Sequence, residues 1–383
     1  MSGATRGILL LSELYPPTIG GSGVLLESLY SHLTDVPVHV LTGAGGSRVQ
    51  RGLTVSAMSM AAPDWGLLRP ASLARHLRVA REVRRLSSGD TIVHCGRGLP
   101  EGLSATLSRR RFVCWTHGEE LGYASTSREL TWLLPRVYAR ALAVLANSHN
   151  SASLLQSWGL SPDRITVIHP GVDPQRFRPE ADPGDWRLRF APKGEVLLVS
   201  VGRLQRRKGH DLVLTALARW RDTDPMVHYL IAGDGDYRHV LEQQVRDAAL
   251  GDRVTFVGAI ADAALPGLYA AADVFVMPNR SDGVDFEGFG IVFLEAAASG
   301  LPCIAGNSGG APEAIEDGQT GCLVSGNDAD ELRQVLVRLA GSVETRRRMG
   351  ACGRERVLRD FTEERGAAVL SAVHRRVAGD AGA

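Results

Sequence analysis

Two carboxylates and two cations stand where they could do chemistry. Glu287 lies in a loop carrying Gly283, Gly288 and Gly290, and Glu295 follows it after seven intervening residues. Beyond the loop, Ile291, Leu294 and Ala298 form an apolar face, and Ala296 and Ala297 favour helix. Gly300 and Pro302 stop that helix, glycine by taking the left-handed cap and proline by being unable to continue it. Such a loop lets backbone N–H groups approach a ligand closely, and the helix N-terminus adds partial positive charge. The outline is an anion-plus-polyol site, with amides for phosphate and carboxylates for hydroxyls. Upstream, a strand-like run ends in Gly202 and Arg203, and Lys208-Gly209 opens the next helix. Fixed cations there would stabilise the charge growing on a phosphorylated leaving group. Arginine can hold phosphate through two parallel bonds, whereas lysine acts as a point charge. A hydrolytic carboxylate pair fits poorly. Retaining hydrolases need carboxyl groups about 5–5.5 Å apart, and an eight-residue step along one helix separates two residues by about 12 Å.

These residues need elements to carry them. The chain has 383 residues, 44% hydrophobic and 6% aromatic, enough for two α/β domains with their own cores. Strand-like apolar runs fall at 7–11, 38–42, 91–95, 112–116, 143–146 and 165–168, and again at 195–201, 229–232, 254–257, 274–277 and 303–305. Helical stretches alternate with them, at 24–33 in the first half and at 209–219, 236–249, 264–271 and 330–340 in the second, with a last one at 362–377. That alternation predicts parallel sheets with crossover helices. Residues 170–192 hold five prolines and mixed charge and break the pattern, which reads as a linker. A net charge of +1 excludes nucleic acid as a bulk electrostatic partner. Five scattered cysteines without a CxxC pair argue against a zinc site or disulfide framework and for a reducing compartment. The apolar run near the start is too short for a signal peptide core, and no run of eighteen apolar residues occurs, so a cytoplasmic chain is expected.

The first half offers its own candidates. His117 follows the strand-like FVCWT, at the end where open α/β sheets bind ligands. It reads either as a sugar contact or as a satisfied structural histidine. Asn147 and Ser148 end the next strand-like run. Gly20, Gly21 and Gly23 lie between the first strand and first helix, where amides could cradle a phosphate. Their spacing departs from the dinucleotide pattern GxGxxG, so a plain tight turn fits as well. Gly233 and Gly235 end another strand-like run and by themselves are a turn.

The run EGFGIVFLE from Glu287 to Glu295, followed by ASGLPCIAGNSGGAPEAI, resembles the donor-sugar motif of glycosyltransferase family 4. Those are retaining enzymes of the GT-B fold that use nucleotide-diphosphate sugars. The resemblance implies two Rossmann-like domains facing each other across a cleft, with the C-terminal helix crossing back to the first. The expected bounds are 1–175 for an acceptor-binding domain, 176–194 for the linker, 195–361 for the nucleotide-sugar-binding domain, and 362–383 for the crossover helix and tail. It also implies roles. Arg203 and Lys208, in GRL…KG, match the diphosphate-binding pair, while the flanking Gln205, Arg206 and Arg207 are expected to be solvated. Glu287 would hold donor-sugar hydroxyls and Glu295 the ribose. Amides of Phe289 and Gly290 would meet phosphate or sugar. His117, in THG, would lie by the donor sugar, and Asn147 and Ser148 by the acceptor. Gly20, Gly21, Gly233 and Gly235 would line the donor, and Gly258 and Ile260 the base. The favoured family mechanism is front-face substitution, in which the leaving phosphate takes the acceptor's proton. No Asp-x-Asp motif stands in a suitable place, so no cofactor or metal is expected.

Residues 285–313 most resemble the mannosyltransferases that build phosphatidylinositol mannosides from GDP-mannose. Relatives using UDP-glucose or UDP-N-acetylglucosamine share the same frame, and a nucleotide-sugar epimerase can share the fold. The expected partners are therefore a nucleotide-diphosphate sugar and a glycan or lipid-linked acceptor. Residues 69–86 form a basic helix. Leu73, Leu77, Ala80 and Val83 are expected on its apolar side and Arg75, Arg78, Arg81 and Arg85 on the others, with Arg109, Arg110 and Arg111 as a second basic cluster. It reads either as the solvated face of an ordinary crossover helix or as a peripheral contact with the inner face of a membrane.

Overall fold

The computed structural model describes residues 7–17, 20–43, 45, 48–60 and 66–379. Every strand expected from an apolar run forms within two residues of its expected bounds. These runs are apolar because most are buried on both faces, as parallel strands flanked by helices must be. The chain divides into two compact units, one reaching Gly171 and taking in the C-terminal helix, the other Val172–Thr362.

In the first unit the strands are β1 (Ile8–Ser12), β2 (Val38–Thr42), β3 (Arg48–Gln50), β4 (Leu53–Ala57), β5 (Ile92–Cys95), β6 (Phe112–Thr116), β7 (Val144–Ala146) and β8 (Ile165–Val167). They pair in the order β3-β4-β2-β1-β5-β6-β7-β8. All neighbours are parallel except β3 and β4. Strand order reverses between β1 and β5, where Ile8 faces both Val38 and Ile92. One face of the sheet packs around Leu9, Val93 and Cys114 and the other around Leu10, Val113 and Trp115. The C-terminal helix Glu363–Gly379 completes the second of these layers through Leu370 and Val373. Ser371 Oγ donates to Asp35 Oδ2 at 2.8 Å, and the His374 and His94 rings are linked at 3.3 Å. The crossing back implied by the resemblance is thus present.

The second unit holds β9 (Val196–Val201), β10 (Val227–Ala232), β11 (Val254–Gly258), β12 (Val274–Met277), β13 (Cys303–Gly306) and β14 (Gly321–Val324). Their order, β11-β10-β9-β12-β13-β14, is that of a doubly wound dinucleotide-binding sheet, and every pair is parallel. Its reversal lies between β9 and β12. In open α/β sheets the ligand crevice opens beyond the carboxyl ends of the strands at such a point.

The proline-rich stretch differs from its reading as a linker. Residues from Val172 onward pack into the second unit. The Val172 N–H donates to Phe361 O at 2.9 Å, Phe177 and Ala191 are buried in the core, and Trp186–Phe190 forms a short helix. Sparse apolar residues anchor a segment whose prolines and charges look like those of a spacer.

The basic helix Pro70–Leu86 buries Ser72, His76, Val79, Ala80 and Val83. Leu77, expected on the buried side, is 40% exposed beside the exposed Arg78 and Arg81. The true stripe follows His76, which finds Ser104 Oγ at 3.0 Å and so can sit inside. Arg110 and Arg111 are not a free cluster either, because they donate to backbone carbonyls of Ser87 and Val377. No helix among the described residues is long and apolar enough to cross a membrane.

Candidate active site

Two loops converge where strand order reverses in the second unit. The first leaves β9 through Gly202 and Arg203. Arg203 is exposed and makes no ion pair among the described residues. Buried Leu204 anchors the loop, and a tight turn over Arg206–Lys208 leads into the helix His210–Ala218. That turn separates three adjacent cations. Arg206 points out to Asp282, while Arg207 and Lys208 point in. Reading Arg207 as solvated was therefore wrong, since its side chain is 4% exposed. A three-residue turn swings neighbouring side chains to opposite sides, and composition alone does not say which.

The second loop leaves β12 and brings in Glu287. Lys208 Nζ lies 2.5 Å from Glu287 Oε2, and Arg207 Nη1 donates to the same oxygen at 2.9 Å. Burial would raise the Glu287 pKa, but Lys208 first and Arg207 next outweigh it and hold the carboxyl below its ordinary range. Asp285 Oδ2 sits 3.0 Å from Arg207 Nε. The main chain of Glu287 is fixed too, with its carbonyl accepting from Gly310 N at 2.8 Å.

Glu295 lies on the helix Ile291–Ala298 and is buried. The Tyr269 hydroxyl donates to its Oε2 at 2.8 Å. Burial pushes the Glu295 carboxyl up to about 7, only partly offset by Tyr269 and Arg176. Gly290 caps the helix at φ +88°, a conformation that strains other residues, and no side chain caps it. The Phe293 N–H turns back to Gly290 O at 3.0 Å, which leaves the amides of Ile291 and Val292 to meet an anion. The Phe289 ring is buried, 5.9 Å from the Phe361 ring centroid, so only the backbone of Phe289 can serve a ligand. Gly233 and Gly235 have a packing reason of their own. A Cβ on Gly233 would lie 1.9 Å from Gly202 O, and one on Gly235 2.4 Å from Leu204 O. They let the turn after β10 lie against the loop that carries Arg203. Gly258 ends β11 and Ile260 packs partly buried against the core.

In the first unit, His117 follows β6 and is buried, its ring stacked with Trp115. Its Nε2 is 2.9 Å from Gly96 O, which can only accept, so the proton sits on Nε2. Nδ1 is left as a buried acceptor without a hydrogen bond among the described residues. Burial lowers the pKa of the ring, favouring this neutral form. Asn147 Nδ2 donates to His117 O at 3.2 Å, Ser151 Oγ donates to Asn147 Oδ1, and Ser148 Oγ caps the helix His149–Ser157. Asn147 and Ser148 thus support His117. Nearby, Arg97 bridges Glu13 at 2.9 Å and Glu101 at 3.0 Å beyond β1 and β5. Gly20 and Gly21 start the helix Gly21–Ser31, whose N-terminus no side chain caps. Sequence reasoning missed Arg207, Tyr269 and the Arg97 cluster. Only the tertiary fold brings Tyr269 to Glu295 or Arg97 to Glu13.

Comparisons with known proteins give the family and the fold. Residues 19–176 match the family described as Glycosyltransferase Family 4, and residues 187–356 the one described as Glycosyl transferases group 1. The GDP-mannose-dependent alpha-(1-6)-phosphatidylinositol monomannoside mannosyltransferase of Mycobacterium tuberculosis is 32% identical over 374 residues, covering 91% of this chain and 92% of that protein. Among solved structures, Anabaena HepE in complex with UDP and glucose superposes with a TM-score of 0.82 at 22% identity, covering 97% of this chain and 100% of that one. Sucrose-phosphate synthase from Thermosynechococcus elongatus gives 0.84 at 24% identity, covering 98% and 100%. The fold is GT-B.

Proposed function

The chain belongs to glycosyltransferase family 4, and from that premise we propose that it transfers mannose from GDP-mannose, with retention at the anomeric carbon, to a hydroxyl of an inositol-containing glycolipid. The transfer chemistry rests on one observation: unpaired Arg203, buried Lys208, Glu287 and an uncapped helix N-terminus all lie beyond β9 and β12. Two cations and the first amides of that helix suit a diphosphate that gains charge as its bond to the sugar breaks. Glu287 suits sugar hydroxyls and Glu295 the ribose. The leaving phosphate accepts the acceptor's proton, so the protein's contribution is positioning and charge stabilisation. The choice of donor and acceptor is supported by the 32% identity to the mycobacterial enzyme named for both.

A thermal-shift panel of nucleotide sugars tests the donor. GDP-mannose should raise the midpoint most, because a ligand stabilises by RT ln(1 + [L]/Kd). A larger shift with UDP-glucose or UDP-N-acetylglucosamine would reassign it, and an epimerised free nucleotide sugar would replace transfer altogether. Turnover should survive excess EDTA. Loss restored by Mn²⁺ or Mg²⁺ would reveal a metal site.

A lipid-linked acceptor also calls for a membrane surface. Leu77 and Leu68, 40% and 46% exposed, accompany exposed Arg78 and Arg81 on and just before the helix Pro70–Leu86. Binding to vesicles containing anionic lipid is expected, weakening as salt rises, and Leu77→Glu should abolish it. Equal binding to neutral vesicles, or none to either, would leave this face to solvent.

A further inference from the structure

Arg207 is too enclosed to be a simple phosphate ligand. Its side chain is 4% exposed, Nη1 donates to Glu287 Oε2 at 2.9 Å, and Nε forms an ion pair with Asp285 Oδ2 at 3.0 Å without the alignment of a hydrogen bond. Its carbonyl accepts from Arg280 N at 2.8 Å, tying the turn to the loop after β12. With Lys208, the four formal charges of Arg207, Lys208, Asp285 and Glu287 cancel. Arg203, exposed and without an ion pair among the described residues, therefore brings the net positive charge of this crevice.

Both cations grip the same carboxylate oxygen. Oε1 of Glu287 takes no hydrogen bond among the described residues. An ionised carboxylate only accepts, and each oxygen has two lone-pair sites. Holding Oε2 from two directions therefore sets the carboxylate plane and leaves Oε1 to receive donor hydroxyls. We propose that Arg207, aimed by Asp285, is a positioning residue that fixes Glu287 so that Oε1 faces the hydroxyls of the donor sugar. The inference rests on Glu287 being the sugar-binding carboxylate.

The test is a double-mutant cycle with GDP affinity measured alongside. Arg207→Gln should lower kcat roughly ten- to a hundredfold, the scale of one charge-assisted hydrogen bond, and leave the Kd for GDP within about twofold. Glu287→Gln should lower kcat at least as much. The double variant should be no worse than Glu287→Gln alone, because residues acting through one another are not additive. Arg207→Lys should recover part of the loss by keeping the contact with Glu287. Asp285→Asn, at a half-exposed position, should give a smaller fall in kcat, also erased in the Glu287→Gln background; it carries the test should Arg207→Gln fail to fold. Losses that multiply in the double variant would overturn the proposal, as would a tenfold weaker GDP in Arg207→Gln, which would make Arg207 a diphosphate ligand. Unchanged kcat in Glu287→Gln would instead remove the sugar-binding role of Glu287, and the positioning role with it.

Discussion

Lys208→Ala should cut kcat by roughly a hundred- to a thousandfold, the loss typical when one fixed electrostatic donor is removed from a transition state. GDP affinity should fall far less. Lys208 is buried and reaches Glu287 Oε2 at 2.5 Å, within the crevice beyond β9. An ammonium has three donors, so one on Glu287 leaves two for phosphate oxygens. Their charge is greatest as the glycosidic bond breaks, so the interaction is stronger in the transition state than in the bound donor. Such an interaction appears in kcat and kcat/KM together. The variant also leaves Glu287 held by Arg207 alone, which affects sugar orientation and again kcat. Single-turnover rates and calorimetric titration with GDP separate the two quantities. Unchanged turnover would take Lys208 out of the mechanism, and equal losses in kcat and GDP affinity would make it an ordinary binding residue.

Much of this was readable from residue order. Strands such as Phe112–Thr116 and Val274–Met277 announce themselves because all their residues are buried. Glu287 and the Arg203/Lys208 pair were readable because EGFGIVFLE and GRL…KG resemble family motifs, and the fold places the loops that carry them at the reversal of strand order. Other features depend on local geometry with no one-dimensional trace. Arg206 and Arg207 are chemically identical neighbours, and a tight turn sends one to solvent and the other to Glu287. The linker reading failed because Phe177 and Ala191 are few among many prolines and charges, yet both are buried. The helix Val343–Asp360 was overlooked since its arginines mask a sparse stripe of Met349, Gly350, Gly353 and Val357. One signal was present but unused. Glu295 sits in IVFLEAAA, a helix apolar on nearly every side, and a lone carboxylate in such a helix must be buried.

That burial gives Glu295→Gln two large effects of opposite sign. With the Glu295 carboxyl pushed up to about 7 by burial, the folded protein binds its proton more tightly than the unfolded chain does. Stability therefore falls as pH rises from the ordinary carboxylate range towards 7, and the full cost is present above it. A shift of this size corresponds to about 3 kcal/mol, taken as an order of magnitude. Glutamine carries no charge to bury and can still accept from the Tyr269 hydroxyl, which reaches the glutamate at 2.8 Å. The empty Glu295→Gln protein should therefore melt several degrees higher than the parent at pH 8, with the difference vanishing near pH 4.5 if both remain folded. Nucleotide affinity should move the other way. Ribose hydroxyls donate, so they favour the ionised carboxylate, and losing a charge-assisted bond should weaken GDP roughly ten- to a hundredfold at pH 8. In the parent, GDP binding should tighten by up to about tenfold per pH unit below 7 and level off above it, with a proton released on binding. In Glu295→Gln that dependence should disappear. Glu287→Gln should keep it and leave GDP affinity at least as tight, because Lys208 is then released towards the diphosphate. Differential scanning calorimetry of the empty proteins and GDP titrations at pH 6, 7 and 8 in buffers of different ionisation enthalpy read all of these quantities. A variant less stable than the parent at pH 8, with GDP binding that still tightens with pH, would mean that the Glu295 carboxyl is not held up in the empty protein and that another group carries the titration.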